Sequence, residues 1–107
     1  MTVTTLGRVN VAMPGTLVAL STDPSQRVAK IFAQSVPGLT GKGYIGKSNM
    51  VRASLAGVIH TFAPNASGIA DSMMVETADG MDTLNLAEYF VDMDVAGEGL
   101  LVSYWTE

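Results

Sequence analysis

Short apolar or alternating segments, each closed by turn-forming residues, limit the folds open to this chain more than any other feature. The segments cover residues 3–13, 16–20, 27–36, 44–45, 58–62, 72–76, 86–93 and 100–105. Glycine, proline, asparagine and serine separate them, and strands at this spacing with turn signals between them are typical of antiparallel sandwiches and small barrels. The sequence therefore predicts a single all-β domain over residues 1–107, built as an antiparallel β-sandwich or small barrel.

The clearest strand pattern lies in residues 86–93 (LAEYFVDM). An apolar set alternates here with a mixed set, and the apolar set is Ala87, Tyr89, Val91 and Met93. This period of two predicts a half-buried strand. Residues 94–99 (DVAGEG) follow, and their glycines suit a hairpin turn. The sequence therefore predicts that the strands over residues 86–93 and 100–105 form a hairpin.

Only one helix is expected. Ser48 or Asn49 could cap a helix over residues 50–56, and Gly57 would end it. A helix of about two turns is marginal without support from packing. The predicted fold class is accordingly all-β with at most one short helix.

The composition favours a folded protein that is covered in part by a partner. Hydrophobic residues make up 48% of the chain and charged residues 15%, against roughly 25% charged residues in an average soluble domain. With so little charge, some apolar surface is expected to be left for a partner to bury. The methionines at positions 13, 50, 73, 74, 81 and 93 suit adaptable packing in a core or an interface.

Several classes of protein are disfavoured by simple counts. The chain has no cysteine, which excludes disulfides and thiolate metal sites. No segment reaches the 18 or more apolar residues of a membrane-spanning helix, and residues 1–13 lack the pattern of a signal peptide. The net charge of −4 argues against nucleic acid as a partner, because neutralising phosphates requires an excess of lysine and arginine.

The charges are distributed unevenly along the chain. All six basic residues lie in the first 52 positions, and nine of the ten acidic residues lie after them. Two interpretations stay open. A dipolar subunit would favour head-to-tail pairing between copies, whereas interleaving of strands from both halves would remove the asymmetry in three dimensions.

Residues 41–48 (GKGYIGKS) match the pattern G-x-x-x-x-G-K-[ST] of a phosphate-binding loop. Such a loop requires a buried parallel strand before it and a full helix after it, whose N-terminus faces the anion. Parallel strands need long crossovers, usually helical, and this chain has one short helix candidate. Tyr44 and Ile45, which favour strands, stand where backbone amides would wrap a phosphate. The segment is therefore interpreted as a strand between two turns and not as a nucleotide site.

Two other groups of residues are candidates for a polar site. Asp92, Asp94 and Glu98 faintly resemble a calcium loop, but the strands on either side favour a solvated hairpin instead. His60 is the only histidine, and without a cysteine or a second histidine it cannot begin a zinc site of the usual composition. His60 is therefore interpreted as an ordinary strand residue.

Tyr104 and Trp105 suit an interface or the core equally, since aromatic residues are abundant in both. No catalytic, cofactor-binding or metal-binding residue is predicted. The chain is expected not to be an enzyme.

Five short motifs follow one another in a fixed order. They are PGTLVALS (14–21), VAKIFAQ (28–34), GYIGKSN (43–49), NLAEYFVD (85–92) and GEGLLVSYW (97–105). Their order resembles small virion structural proteins of tailed bacteriophages, of the capsid decoration or cement type, whose chains end in a glycine-rich hairpin and a strand. The resemblance covers most of residues 14–105. Residues 50–70 form a longer segment than the resemblance predicts, which indicates an arm or loop for contacts particular to this protein.

The resemblance implies a non-enzymatic structural component of the particle and does not by itself say which part. The leading hypothesis is a capsid decoration or cement protein that stabilises the assembled shell. Its expected partners are the major capsid protein and copies of itself in a homotrimer, with no cofactor, nucleic acid or membrane. Residues 1–13 are expected to extend as an N-terminal arm that adds a strand to a neighbouring sheet. The expected location is the virion, after assembly in the host cytoplasm. The alternatives are a tail, neck or head-fibre component and, from another class, a small-ligand-binding β-barrel.

Overall fold

The computed structural model of the chain describes residues 2–64 and 71–106 and confirms the all-β class. The strands are β1 (Thr2–Asn10), β2 (Val18–Ala19), β3 (Arg27–Val28), β4 (Lys30–Ser35), β5 (Gly43–Val51), β6 (Ala56–Phe62), β7 (Ser72–Glu76), β8 (Leu84–Asn85), β9 (Phe90–Met93) and β10 (Gly99–Thr106). Each of the segments predicted as a strand overlaps at least one of them, and the segment 27–36 contains two, β3 and β4. A 3-10 turn over Leu86–Glu88 is the helical element of the described residues.

The long strands form two antiparallel sheets of four strands each. The first sheet has the order β1-β10-β4-β7, and the second has the order β2-β9-β5-β6. A short ladder joins β3 to β8. All neighbouring strands in these sheets run antiparallel, as the short connections and turn signals predict.

A shared core holds the two sheets together. In β4 and β10, buried residues alternate with partly exposed ones, so each strand turns one face inward. The inward residues of the first sheet include Ile31, Ala33, Leu100 and Val102, and the second sheet contributes Ile45, Phe62, Val91 and Met93 to the same cluster. Burial of each large apolar side chain contributes roughly 1.5–3 kcal/mol, so the contact between the two inner faces is the main source of stability.

The prediction of a helix over residues 50–56 is wrong. β5 continues to Val51, a turn occupies residues 52–55, and β6 begins at Ala56, which pairs with Val51. Gly57 adopts a φ of +71° and packs so closely that a Cβ there would lie 2.6 Å from the side-chain oxygen of Asn49. The residues expected to cap and end a helix therefore lie in the two arms of a β-hairpin, where pairing and burial of Met50 outweigh the weak helical preference of so short a segment.

The prediction of a hairpin at residues 94–99 is also wrong. β9 belongs to the second sheet and β10 to the first, so this connection crosses from one layer to the other. Backbone hydrogen bonds hold it to the chain that follows β1: the Val11 amide donates to Glu98 O at 2.9 Å, and the Gly97 amide donates to Val11 O at 2.8 Å. Gly97 adopts a positive φ of 83°, as the turn signal predicts, but the turn connects two sheets and not two strands of one hairpin.

The alternation predicted for residues 86–93 is confirmed only in part. Tyr89, Val91 and Met93 are buried, as expected. Leu86 and Asp92, which belong to the other set, are buried as well. The strand itself starts at Phe90, because the 3-10 turn occupies the preceding residues. A carboxylate inside the fold requires a compensating partner.

Strands from the two halves of the chain interleave, so the charge asymmetry of the sequence disappears. In the first sheet, β1 and β4 from the basic half alternate with β10 and β7 from the acidic half. Ion pairs join the halves at Lys30–Glu76, Lys47–Glu88, Arg52–Asp92 and Arg52–Asp94. Of the two interpretations of the charge distribution, the structure supports interleaving.

Residues 1–13, predicted as an arm, lie in the described part from Thr2 onward. β1 pairs with the chain's own β10 along its whole length, with a bulge between Thr5 and Gly7. It is an edge strand of the first sheet, and Val11 after it is fully buried. That residues 1–13 add a strand to a neighbouring sheet stays a prediction. Residues 65–70 of the long segment 50–70 lie outside the described residues.

Candidate interaction surface

The polar residues singled out in the sequence do not form one site: Asp92 and Asp94 share Arg52, whereas Glu98 and His60 have other partners. Asp92 has only 1% of its surface exposed. Its Oδ1 accepts hydrogen bonds from the backbone amides of Gly15 (3.0 Å) and Met93 (2.9 Å), and its Oδ2 lies 3.0 Å from Arg52 Nε. The guanidinium and the two amides together compensate the buried negative charge.

Arg52 links this buried carboxylate to a second, more exposed one. Its Nη1 donates to Asp94 Oδ1 at 2.8 Å, and the Tyr44 hydroxyl donates to the Asp94 carboxylate at 3.1 Å. Burial raises the pKa of the Tyr44 hydroxyl above its ordinary value, and the hydrogen bond to Asp94 raises it further. Tyr44 therefore remains a neutral donor, and the cluster acts as a clasp between the β5–β6 hairpin and the end of β9.

Glu98 forms a second clasp on the other side of the same connection. Its Oε2 accepts from the Thr40 amide (3.0 Å) and hydroxyl (2.9 Å), and its Oε1 accepts from the Gly41 amide (3.2 Å). Burial opposes ionisation, but these hydrogen bonds and the charge of Arg8 outweigh it and hold the pKa of the Glu98 carboxyl below its ordinary value. Asp92 and Asp94 thus share Arg52, whereas Glu98 accepts hydrogen bonds from Thr40 and Gly41. Among the described residues, no three His, Cys, Asp or Glu side chains converge on a metal position.

His60 lies in β6 with one acidic neighbour. Its Nε2 is 3.3 Å from Asp71 Oδ1, and its ring packs edge-on against Phe62 at a centroid distance of 4.6 Å. Ser35 is nearby, but its hydroxyl accepts a hydrogen bond from the Asp71 backbone amide at 2.8 Å. His60 is thus a strand residue that lies between an acid and an aromatic ring.

Residues 41–48 form a strand from Gly43 onward, as predicted, but the strand continues to Val51 instead of ending in a second turn. In a phosphate-binding loop, the backbone amides of residues 43–46 would face the phosphate. Here these residues pair with β9 and β6 instead. Lys47, the position of the phosphate-binding lysine in the pattern, pairs with Glu88 at 3.5 Å and lies 4.2 Å from the centre of the Tyr89 ring. This geometry has no place for a nucleotide.

The outward face of the first sheet presents several apolar side chains on one surface. From the strand registers, it consists of three rows across β1, β10, β4 and β7: Arg8, Leu101, Gln34, Ser72; Thr5, Ser103, Phe32, Met74; and Val3, Trp105, Lys30, Glu76. We call these residues the outer face. Its middle row carries no charge, and its basic and acidic residues lie in the two outer rows.

Aromatic packing holds the middle of the outer face in place. Phe32 and Trp105 meet edge to face, with ring centroids 6.4 Å apart and planes at 88°. Lys30 Nζ lies 5.6 Å from the centre of the Trp105 ring and 3.4 Å from Glu76. Tyr104, in contrast, is buried and accepts a hydrogen bond from Gln26. The structure thus separates the two aromatic residues: Tyr104 belongs to the core and Trp105 to the outer face.

A shallow recess of about 230 Å³ lies in the outer face between β1 and β4. It is lined by Thr5, Gly7, Phe32, Gln34, Leu101, Val102 and Ser103, none of which is charged. The bulge after Thr5 and the absence of a side chain at Gly7, which has a φ of 75°, open the space beside β10. The recess is smaller than the roughly 300–1,000 Å³ of typical small-molecule pockets, and its size suits one or two inserted side chains.

A second apolar region lies at the end of the β5–β6 hairpin. Val51, Leu55 and Ile59 are 49%, 53% and 44% exposed, and residues 53–59 (ASLAGVI) contain no charged residue. Leu55 is the only described residue other than glycine with a positive φ, at 63°. For a bulky L-residue this conformation costs about 1–2 kcal/mol. The local sequence pattern predicts a helix over residues 50–56 and therefore gives no sign of this exposed turn.

Comparisons of the chain with protein-family models, with curated proteins and with solved structures return no match. In the described part of the chain, no helix is long and apolar enough to cross a membrane.

Proposed function

We propose that this chain is a non-enzymatic structural protein of a tailed-bacteriophage particle, most specifically a capsid decoration or cement protein. It would bind the outside of the assembled shell and stabilise the lattice by bridging neighbouring shell subunits. Its partners in this role are the major capsid protein and copies of itself, arranged as a homotrimer. It would act in the virion after assembly in the host cytoplasm.

The observation that carries the proposal is the outer face of the first sheet. Phe32, Trp105, Leu101 and the exposed Val3 and Met74 lie on one side of a sheet whose other side is already buried in the core. Arg8, Lys30 and Glu76 lie in the two outer rows of this face, so the apolar part is a strip around the uncharged middle row, and such a strip favours cover by a partner. The surface of a shell has many equivalent sites that could cover this face, so that weak individual contacts give high combined avidity.

The order of motifs over residues 14–105 supports the same proposal. The YIGKS motif lies in β5, and the NLAEYFVD motif ends in β9. The expected glycine-rich hairpin at residues 97–99 is instead a crossing between sheets. The motifs therefore support the proposal by their order and by their place in strands, while the connection differs from the expected one.

The test is co-sedimentation of the purified protein with expanded shells that lack it, with the thermal disruption of the shells measured on the same samples. Met74 and Met81 provide a matched pair, because they are 48% and 47% exposed and Met81 lies between β7 and β8, outside the three rows of the outer face. We expect M74E to weaken shell binding by about tenfold or more, since it places a charge in a desolvated apolar contact. M81E should bind as the natural chain does.

The outcomes separate the proposal from its alternatives. Saturable binding that raises the disruption temperature and is lost in M74E supports the decoration role. Binding to tails or necks but not to shells would favour the tail, neck or head-fibre alternative. A monomer with no affinity for particles would favour the small-ligand-binding barrel, although the recess of about 230 Å³ is small for that role.

A further inference from the structure

The connection between β7 and β8 contains a dipeptide that occurs nowhere else in the chain. Asp79 is followed by Gly80, whereas each of the other five aspartates and each of the four asparagines is followed by a residue with a side chain. Because glycine has no Cβ, its amide nitrogen is not shielded from the side chain that precedes it. The sequence therefore singles out this pair for a reaction between an aspartate carboxyl and the main chain.

A hydrogen bond in the turn restricts the two groups that would react. The Met81 amide donates to Asp79 Oδ1 at 3.0 Å, as is common for aspartate in turns. The ring closed by this hydrogen bond contains both the Asp79 carboxyl carbon and the Gly80 nitrogen. Groups whose relative motion is already restricted lose less entropy on reacting, so the folded turn favours a bond between these two atoms.

The pair is also open to water. Asp79 and Gly80 are both exposed. Gly80 has a φ of 73°, and a Cβ placed on it would meet no other atom within 4 Å. Asp92, in contrast, is 1% exposed, and its carboxylate is held by Arg52. Exposed turns are where covalent changes to a folded chain are most easily accommodated.

We propose that Asp79 is a site of covalent modification, at which the chain isomerises to isoaspartate through a cyclic imide. The Gly80 nitrogen bonds to the Asp79 carboxyl carbon; the nitrogen gives up its proton and the carboxyl its hydroxyl, so that one water leaves and a five-membered succinimide ring forms. Water then adds to one of the two ring carbonyls and breaks its bond to nitrogen. Cleavage at the side-chain carbonyl restores aspartate, and cleavage at the main-chain carbonyl gives isoaspartate. One water is lost and one is regained, and nothing is oxidised or reduced.

The product has a different turn. Its main chain runs through Asp79 Cβ, so it is one carbon longer, and the free carboxylate is attached to Cα. The former side-chain carboxyl is then part of a peptide bond, and the Met81 amide loses its present acceptor. The contact of the Thr77 hydroxyl with Met81 O, at 3.0 Å, spans the same turn and must adjust. The modification is independent of the proposed function, and it distinguishes aged copies of the chain from new ones.

The first test follows the natural chain as it ages while folded, with the fold checked by circular dichroism. Digestion after Glu76 and Glu88 releases a peptide of residues 77–88, which contains both Asp79 and Asp82. We expect this peptide to yield a second chromatographic form of the same mass, together with a minor form lighter by one water. Electron-transfer fragmentation should locate isoaspartate at Asp79 and not at Asp82, because Thr83 shields the amide that follows Asp82.

The second test uses asparagine, which closes the same ring with loss of ammonia and is detected by mass when the imide hydrolyses to an acid. D79N keeps a side-chain oxygen for the Met81 amide, so the turn is retained. The matched control is D82N, which places the same amide three residues later in front of Thr83. We expect D79N to deamidate many times faster than D82N. G80A should slow isomerisation at Asp79 severalfold or more, since the added methyl group lies beside the attacking nitrogen.

Three results would each overturn the inference. The first is a folded natural chain that forms no isoaspartate at Asp79, or forms it only when urea unfolds the chain. The second is equal deamidation of D79N and D82N, since the turn and Gly80 would then give no advantage. The third is an unchanged yield in G80A, which decides the matter on the natural aspartate if D79N does not fold. None of these measurements involves a shell, so the outcome is separate from that of the proposed function.

Discussion

Replacement of Arg52 by methionine is expected to destabilise the fold severely. Methionine keeps most of the aliphatic stem but leaves the buried Asp92 carboxylate, 1% exposed, without its cation. Removing one partner of a buried ion pair costs about 3–5 kcal/mol. We expect a loss of unfolding free energy near the lower end of this range, because the amides of Gly15 and Met93 still donate to Asp92 at 3.0 and 2.9 Å.

The loss of the second ion pair adds little. Asp94 is more than a third exposed, and exposed pairs contribute about 0.2–1 kcal/mol. We therefore expect R52M to lower the free energy of unfolding by about 3–4 kcal/mol. For a domain near 100 residues, each kcal/mol corresponds to about 4–8 °C in Tm, so the melting temperature should fall by at least about 12 °C.

The assay is urea unfolding followed by circular dichroism and by the fluorescence of Trp105, the only tryptophan. The midpoint should fall while the slope stays unchanged. R27M is the matched control, because Arg27 is exposed and its guanidinium donates to Pro24 O at 2.8 Å without contacting a buried carboxylate. Its effect should stay within about 0.5 kcal/mol of zero.

A double-mutant cycle isolates the pair itself. R52M combined with D92N should be less destabilised than the sum of the two single variants, by about 0.5–3 kcal/mol. If R52M costs less than about 1 kcal/mol and matches R27M, the guanidinium does not compensate the buried charge. The account of this clasp would then be refuted.

Three further predictions concern backbone packing, pH dependence and the N-terminal strand. A Cβ at Gly46 would lie 2.3 Å from a backbone oxygen of the facing strand, whereas one at Gly43 would mainly meet a flexible methionine side chain at 3.0 Å. G46A should therefore lose far more stability than G43A in thermal unfolding. The pKa of Glu98 is lowered on folding from its ordinary 4.5. Its carboxylate therefore stabilises the fold above about pH 4.5, and this stabilisation is lost as the pH falls through the folded pKa. The loss of unfolding free energy in E98Q, about 1 kcal/mol at neutral pH, should shrink in acid, and a loss independent of pH would contradict this. Thr2 and Thr106 are directly opposite in the β1–β10 ladder, so an oxidised T2C/T106C variant holds β1 on its own chain. Shell binding should fall on oxidation if residues 1–13 add a strand to a neighbouring sheet. Unchanged binding would exclude that role of the N-terminal strand.

The all-β class and most strand positions follow from local patterns. Residues 72–76 were predicted as a strand and form β7 with the same bounds, because alternation of side chains and flanking turn residues act over a few positions. Tyr89, Val91 and Met93 were identified as a buried set for the same reason and are buried. The excess of apolar residues over charged ones likewise indicated an apolar surface left outside the core.

The sites, in contrast, depend on residues that are distant in the sequence. Nothing near Asp92 indicates that its partner is Arg52, and the two meet only because the β5–β6 hairpin lies beside β9 in the second sheet. The alternation pattern therefore assigned Asp92 to the solvent side. A short apolar segment around Met50 is compatible with a helix or a strand, and only pairing with β6 decided between them.

The sequence by itself determined that this chain folds into antiparallel strands, since that preference is local and repeated at every segment. Only the tertiary structure decided which sheet each strand joins, so that the connection over residues 94–99 crosses between layers instead of turning back as a hairpin. Sheet assignment depends on burying the apolar faces of distant strands in one core, a property of the whole chain. The recess and the exposed Leu55 are consequences of that arrangement, because strand register and turn geometry place them on opposite layers of the molecule.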